Sequence, residues 1–215
     1  MTKLLIVTDW AGVLADAMAA VVIFALSCIQ KHLGVVLTRD ELKEKMVIFR
    51  ENPFRDALKI AFPQADEKLI QACAAEFDEN LIAVVGPKVK TIPGVKKTLQ
   101  DLQVLAKIED LEIIISSAAP QKLVDWWARE EGLMSYIAKI YCIEQGNKSE
   151  HLKKIRTKYP GWEIIFISDS TSEMGLGDIS IGVAPVGQEI KYFDSGASSV
   201  MHSFPEILER NIRAI

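Results

Sequence analysis

The sequence predicts an α/β protein in which a parallel sheet is flanked by helices and interrupted by an all-helical insertion. Short apolar runs alternate with helical stretches through most of the chain, and such runs are typical of parallel strands covered on both faces. Between the first run and the rest the pattern stays helical, without a strand of any length. We therefore expect a core domain of residues 1–15 and 86–215 and a helical cap domain of residues 16–85.

Apolar runs and turn residues predict the individual elements. The first strand begins at Leu4 and ends just before Asp9. In the insertion, we expect helices over residues 17–32, 54–61 and 66–84, and a further helix that begins at the capping box formed by Thr38 and Glu41. Behind it we expect strands over residues 111–115, 137–142, 163–167, 179–183 and 199–201. Helices are expected over residues 95–105, 120–131, 149–158 and 205–213.

Composition excludes several classes of protein. The 215 residues include 49% hydrophobic and 25% charged residues, which is ordinary for a globular chain. A formal net charge of -4 argues against nucleic acid or an anionic membrane as a partner. The apolar stretch over residues 17–29 is too short to span a bilayer, so we expect a buried helix there.

The cysteines indicate the compartment. Cys28, Cys73 and Cys142 are far apart, odd in number and set among apolar neighbours, which favours reduced, buried thiols. No CxxC spacing suggests that cysteine binds a metal. The first acidic residue comes too early for the apolar segment of a signal peptide. We expect a cytoplasmic protein, either a monomer or a homodimer.

Polar residues follow three of the apolar runs, where ligands collect in an open parallel sheet. The candidates at this edge are Asp9, Ser116, Ser117, Lys148, Asp169 and Glu173. Carboxylate oxygens suit a hard cation such as Mg²⁺. Lys148, the Ser116 hydroxyl and the backbone N–H groups of the turn at Gly12 suit the oxygens of a phosphoryl group. The sequence thus favours a site for Mg²⁺ and a small phosphorylated ligand.

The order of these motifs resembles that of the haloacid dehalogenase superfamily along nearly the whole chain. The four motifs are "VTDWAGVLAD", "IIISS", Lys148 and "IFISDSTSEM". The resemblance implies a Rossmann-like core, a helical cap inserted after the first motif, Mg²⁺ as cofactor, and a small phosphate or phosphonate metabolite as substrate. It also implies that Asp9 attacks phosphorus to form an aspartyl-phosphate, which water then hydrolyses.

The resemblance implies further roles at the site. The metal ligands would be Asp9, the backbone carbonyl of Ala11, and Asp169, with Glu173 holding a metal-bound water. Ser116 and Lys148 would grip the transferring phosphoryl oxygens. The fourth motif departs from the family pattern mildly, with Ser168 in place of Gly and Glu173 in place of Asp.

Ala11 is the larger departure, because phosphatases of the superfamily carry an Asp general acid there. The "DWAG" segment resembles phosphonoacetaldehyde hydrolases, which use a cap lysine as a Schiff base, but Arg50 stands where that lysine would align and cannot form an imine. Lys43 and Lys45 lie nearby, and we expect them to be solvated. A second explanation is a phosphohydrolase acting on a good leaving group, with Arg50 as a phosphate or carboxylate clamp. A third is a protein that binds a phosphorylated ligand without turnover.

The preferred interpretation is a Mg²⁺-dependent hydrolase of a small organophosphorus metabolite, phosphonatase-like in its first motif. Trp10, between the nucleophile and Ala11, is expected either to face substrate or cap, or to pack in the core. The three histidines, His32, His151 and His202, have no convincing partners in the sequence and are expected at the surface or at helix ends.

Overall fold

A central sheet of parallel strands organises the chain, which is represented by a computed structural model that describes residues 3–107 and 110–208. The strands in chain order are β1 (Leu4–Thr8), β2 (Ala15–Asp16), β3 (Lys90–Thr91), β4 (Leu111–Ser116), β5 (Lys139–Tyr141), β6 (Glu163–Ser168), β7 (Ile179–Val183) and β8 (Ser199–Met201). Six of them form the sheet in the order β5-β4-β1-β6-β7-β8. Every residue of β1 is buried, as expected for a central strand covered on both faces. The predicted α/β fold with a parallel sheet is confirmed.

Eight α-helices accompany these strands in the described residues. They are α1 (Met18–Leu33), α2 (Arg39–Glu51), α3 (Phe54–Ala61), α4 (Glu67–Val85), α5 (Val95–Ala106), α6 (Gln121–Glu130), α7 (Lys148–Lys158) and α8 (Glu189–Asp194). The predicted capping box is present at the start of α2, where Thr38 and Glu41 each accept a backbone hydrogen bond from the other. Residues 204–208 form a 3₁₀ turn, and the rest of the helix expected over 205–213 lies outside the described residues.

Helices α1 to α4 form a four-helix insert, residues 18–85, between β2 and β3, which make a separate two-stranded sheet. These two strands pair antiparallel, so the outgoing and returning chains run side by side. Inside the insert the ring of Phe77 stacks on Phe24 at 5.5 Å and on Phe54 at 4.0 Å. Such aromatic pairs bury large apolar areas and hold α1, α3 and α4 together.

The three cysteines are buried and unpaired, as the sequence predicts. Burial raises the pKa of the Cys28 thiol to about 11, so it stays protonated at neutral pH. Among the described residues there is no helix with the length and apolarity needed to cross a membrane.

The register of the three central strands determines where the site lies. Leu4 of β1 pairs with Leu111 of β4 on one side and with Glu163 of β6 on the other, so the strands run level. At the other end, Thr8 lies between Ile115 and Ile167. The residues that follow these three strands therefore meet at one edge of the sheet.

Candidate active site

A cavity of about 720 Å³ opens at this edge and is lined both by the strand ends and by the four-helix insert. Its volume falls in the range of small-molecule sites. The sequence-predicted residues that line it are Asp9, Trp10, Ala11, Gly12, Arg50, Ser117, Lys148, Asp169 and Glu173. Ser116 does not line it.

Asp9 lies at the floor of the cavity and is 7% exposed. One carboxylate oxygen, Oδ1, accepts a hydrogen bond of 2.6 Å from the backbone N–H of Trp10, and the other, Oδ2, contacts the Lys148 ammonium. Burial raises the pKa of Asp9 to about 6, and the neighbouring Glu173 and Asp169 add to this rise while Lys148 opposes it. The site thus holds more negative charge than its lysine neutralises.

Lys148 begins α7, where Asn147 caps the helix by accepting a hydrogen bond from the Glu150 amide. A cation at a helix N-terminus is disfavoured by the helix dipole, and this one is also buried. Its ammonium contacts Asp9 and donates to Glu173 at 2.5 Å. Burial lowers the pKa of Lys148, but the two carboxylates outweigh burial and hold the pKa above its ordinary value. Lys148 is therefore a fixed positive charge that bridges two acids.

Asp169 follows β6 and packs against the turn after β1. A Cβ atom on Gly12 would lie 2.0 Å from the Asp169 carboxylate, and the φ of Gly12 is +80°, so both space and backbone conformation require glycine here. Burial raises the pKa of Asp169. The backbone carbonyl of the same residue accepts a hydrogen bond of 2.5 Å from the Tyr192 hydroxyl, which anchors the loop to α8.

Glu173 lies in the short 3₁₀ turn that follows β6. Its Oε2 accepts hydrogen bonds from Lys148 and from the Ser168 hydroxyl, the latter at 2.6 Å. Ser168, which replaces the expected Gly, thus positions the carboxylate that replaces the expected Asp.

Ser116 differs from its expected role as a phosphoryl-gripping hydroxyl. It is fully buried, and its Oγ lies 2.9 Å from Nδ1 of His151 rather than in the cavity. His151 is itself buried, which lowers its pKa, so the ring is neutral. Its Nε2 lies 3.0 Å from the Cys142 carbonyl, which accepts the ring proton and leaves Nδ1 to accept from Ser116. The next residue, Ser117, does line the cavity.

The expectation that His151 lies at the surface or at a helix end is wrong, because its side chain is buried and contacts Ser116 and the Cys142 carbonyl. The sequence does contain a signal for this residue: it stands three residues after Lys148 on α7, so both side chains lie on one helix face. His32 also has a partner, because its Nε2 lies 2.7 Å from a Glu76 carboxylate oxygen. His202 contacts the Ala184 carbonyl at 3.0 Å.

In the turn after Asp9, some of the backbone N–H groups that were expected to bind phosphoryl oxygens are already hydrogen-bonded within the protein. The N–H of Gly12 donates to the Ala15 carbonyl at 2.9 Å, and the N–H of Trp10 donates to Asp9. Within the described part of the chain, neither the amide of Ala11 nor that of Val13 makes a hydrogen bond, and of these two residues Ala11 lines the cavity.

Trp10 has a mainly packing role. Its side chain is completely buried and meets Trp127 edge to face, with 5.9 Å between ring centroids. The indole Nε1 has no hydrogen-bond partner among the described residues.

Arg50, near the end of α2, brings a second positive charge to the cavity. It is exposed, has no ion-pair partner among the described residues, and lowers the pKa of Asp169 electrostatically, against the effect of burial. Two neighbouring lysines of the insert are engaged elsewhere. Lys43 pairs with Asp40 at the surface, and Lys45, expected to be solvated, is half-buried and donates to the Ala61 carbonyl at 2.8 Å. Neither lines the cavity.

The donors at the floor of the cavity fit a magnesium ion. Within the described residues, no three His, Cys, Asp or Glu side chains are grouped closely enough to enclose a metal unaided. Mg²⁺ does not need such a cage, because it binds through one or two carboxylates and completes its shell with water and substrate oxygens. Asp9, which is buried, and Asp169, which is exposed to the cavity, both have a raised pKa and supply this kind of donor, with an excess of negative charge for a cation to neutralise.

Lys191 and Tyr192 of α8 also belong to this region and have no counterpart in the sequence-based expectations. Lys191 lines the cavity and Tyr192 anchors the loop of Asp169. Helix α8 is only six residues long, too short for a periodic apolar pattern to reveal it.

Comparison with solved structures places this arrangement among known folds. A haloacid dehalogenase-like family hydrolase from Streptococcus pneumoniae matches with a TM-score of 0.69 and 14% identity, over 96% of this chain and 97% of the other. The chain has the haloacid dehalogenase fold. A predicted phosphatase from Clostridium acetobutylicum has this fold as well and matches with a TM-score of 0.73 and 14% identity over 100% of both chains.

A third structure with the haloacid dehalogenase fold, a HAD-hydrolase from Bacillus subtilis described as bound to magnesium, matches with a TM-score of 0.62 and 16% identity over 100% of both chains. No protein-family model matches the sequence. No curated protein matches it either.

Proposed function

We propose that this chain is a Mg²⁺-dependent hydrolase of a small phosphorylated metabolite that works through an aspartyl-phosphate on Asp9. The observation that carries the proposal is the contact of buried Asp9 with the Lys148 ammonium, beside Asp169 and Glu173, at the floor of a cavity large enough for a metabolite. Solved structures of the same fold, described as a hydrolase and a phosphatase, support this reaction class.

Asp9 is the nucleophile in this proposal. The Trp10 amide holds Oδ1, so the carboxylate cannot rotate freely, and an oxygen of the group attacks phosphorus. The new bond joins this oxygen to phosphorus while the bond to the leaving group breaks and its electron pair departs with that group. Water then attacks phosphorus and releases phosphate, which returns Asp9 to its carboxylate form. The magnesium ion, when bound, supplies the positive charge that lets one anion approach another.

Three groups of the chain are arranged to hold the transferring phosphoryl oxygens. Lys148 supplies a charged donor, Ser117 a hydroxyl, and the unpartnered Ala11 amide a backbone donor. Ser117 takes the place that the sequence assigned to Ser116, whose hydroxyl is occupied by His151. Asp169 and Asp9 would hold the metal with the Ala11 carbonyl, and Glu173 would position Lys148 as well as a metal-bound water.

Ala11 directs the proposal toward substrates whose leaving group needs no proton. General acid–base assistance is typically worth about 10²–10⁴-fold, so a poor alkoxide leaving group would react slowly here. Acyl phosphates and enol phosphates leave as stable anions and meet this condition. Arg50, exposed and unpaired at the cavity, is placed to bind a second anionic group of such a substrate.

Phosphonoacetaldehyde cleavage is less well supported as the activity of this site. It needs a lysine of the insert that reaches the substrate, and among the described residues none of the lysines that line the cavity belongs to the insert. Lys45 is bound to a backbone carbonyl and contacts the ring of Phe62, 4.9 Å from its centroid. A ligand-binding protein without turnover remains the alternative in which Asp9 serves only as part of a binding site.

A substrate panel tests the proposal. We expect phosphate release from at least one acyl or enol phosphate in the presence of Mg²⁺, and loss of at least about 10³-fold in rate on Asp9→Asn, because the amide cannot attack phosphorus. Asp16→Asn, which changes an exposed carboxylate that also lines the cavity, is the matched control and should retain activity. Tight ligand binding without release of phosphate from any compound would favour the binding-protein alternative.

A further inference from the structure

The four-helix insert gives the cavity a wall that is mainly apolar. Its apolar lining includes Val22 and Leu26 on α1, Leu37 in the loop that follows, and Leu42 and Met46 on α2. The charged residues that the insert contributes to the lining are Arg50 and Glu51, next to each other at the end of α2.

These five side chains do not belong to the hydrophobic core. Each is half-buried, and none is a member of the three apolar clusters formed by the described residues. Neighbours on the same helix, such as Phe24, Cys28 and Ile29, do belong to the main cluster. The five therefore line the cavity without belonging to the packed clusters. An apolar lining of this kind, kept out of the core clusters and placed beside polar groups, is typical of a ligand-binding wall.

The floor of the cavity has the opposite character. Asp9, Asp169, Glu173 and Lys148 lie there, and hydroxyl groups of the loops after β4 and β6 add further polar lining. A bare phosphate or a small polar phosphate ester would bind the polar groups of the floor but would leave the apolar wall of the insert exposed to water. A ligand that covers both must carry an anionic end and an apolar end.

We infer that the substrate of this site is an organophosphorus compound whose organic part carries an apolar group of the size of an aromatic ring or a branched alkyl chain. The phosphoryl end lies on the Asp9 floor, and the apolar group fills the wall formed by Leu26, Leu42 and Met46. This assignment rests on the proposed function for the position of the phosphoryl end, and it deepens that function by naming the substrate class.

Binding of matched phosphonates tests the inference without requiring turnover. Methylphosphonate and benzylphosphonate share one charged end and differ by an aromatic ring. In calorimetry with the full chain and Mg²⁺, we expect benzylphosphonate to bind at least about tenfold more tightly, because a well-placed apolar group contributes this much or more in a hydrophobic pocket. Equal affinities would overturn the inference.

Two neighbouring residues on α2 provide the matched variants. Met46→Ser should remove most of the preference for benzylphosphonate, since Met46 lines the cavity. Val47→Ser should leave it unchanged, because Val47 is 64% exposed and lies outside the cavity. Neither residue belongs to the core, so both variants are expected to fold. A preference that survives Met46→Ser and the equivalent Leu42→Ser would contradict the assignment.

Turnover of acyl phosphates separates the inference from the proposed function. Benzoyl phosphate and acetyl phosphate share their reacting bond, and we expect a higher kcat/KM for the benzoyl compound, with the difference abolished by Met46→Ser. Hydrolysis of both at equal kcat/KM would contradict the inference about the apolar group and would still support the proposed hydrolase activity. Binding of benzylphosphonate that depends on Met46, with no phosphate released from any compound of the substrate panel, would uphold the apolar wall and contradict the hydrolase.

Discussion

Ala11 is the residue at which this chain departs most from the chemistry of an ordinary phosphatase. It lines the cavity two positions after Asp9, and its backbone has no positive φ, so a larger side chain is conformationally acceptable there. A carboxylic acid at this position would reach the cavity that holds the leaving group. Its absence is the reason for preferring substrates with stable leaving anions.

Ala11→Asp should therefore raise the hydrolysis of an alkyl phosphate, by about 10- to 100-fold if the acid supplies part of the usual general acid effect. Ala11→Asn, of the same shape without an acid, is the control and should give no increase. The measurement is kcat/KM for one alkyl phosphate in both variants. Equal rates for the Asp and Asn variants would mean that acid catalysis is not what the site lacks.

In the metal-free protein, ionised Asp9 is expected to lower the free energy of unfolding. Its folded pKa, about 6, lies above the unfolded value of 3.8, so the folded state holds its proton more strongly. The protonated form of Asp9 therefore adds to the free energy of unfolding below pH about 4, and this contribution is lost as pH rises through about 6. A difference of about two pKa units corresponds to about 3 kcal/mol. Functional carboxylates commonly carry such a cost.

Urea unfolding in the presence of a chelator measures this cost. At pH 7.5 we expect Asp9→Asn to raise the free energy of unfolding by about 1 to 3 kcal/mol, because the amide avoids burying a charge. At pH 4.5 the gain should fall to about a third of its value at pH 7.5, since Asp9 is then protonated in the folded state and mostly ionised in the unfolded state. Lower stability of the variant at pH 7.5 would show that the pairing of Asp9 with Lys148 outweighs burial.

At the scale of elements, the strands of the main sheet could be predicted, whereas the two-residue strands β2 and β3 and the short helix α8 could not. The runs that became β4 and β6 are continuous apolar segments between turn residues, and their bounds agree with the prediction to within a residue. Strands β2 and β3 have two residues each, and α8 has six, so no periodicity marks them in the sequence. They form because tertiary contacts hold them, such as the pairing of Ala15 with Thr91.

The choice between two adjacent serines shows the same limit at the end of a strand. Side chains alternate between the faces of a strand, so of Ser116 and Ser117 only one is expected to face the cavity. The sequence analysis placed both at the right edge and gave the phosphoryl-gripping role to Ser116, whereas Ser117 is the one that lines the cavity. The reason is a buried histidine. The Ser116 hydroxyl is hydrogen-bonded to His151, and Ser117 lines the cavity.

At the scale of the molecule, the insert and the sheet share one apolar cluster. Residues of the insert such as Phe24 and Phe77 belong to the same buried cluster as Ile6 of β1 and Ile165 of β6. The cavity thus has a polar floor from the strand ends and an apolar wall from the insert. Motif order alone predicted the floor, whereas the wall depends on which faces of α1 and α2 the packing leaves free.

Trapping the covalent intermediate tests the central claim most directly. The full chain is mixed with Mg²⁺ and the best substrate of the panel, quenched with borohydride and digested for peptide mass spectrometry. Reduction of an aspartyl-phosphate gives homoserine, and we expect this change at position 9 alone, dependent on substrate and absent from Asp9→Asn. Turnover of the substrate with Asp9 unmodified, or with the change at another carboxylate, would contradict the assignment of Asp9 as the nucleophile.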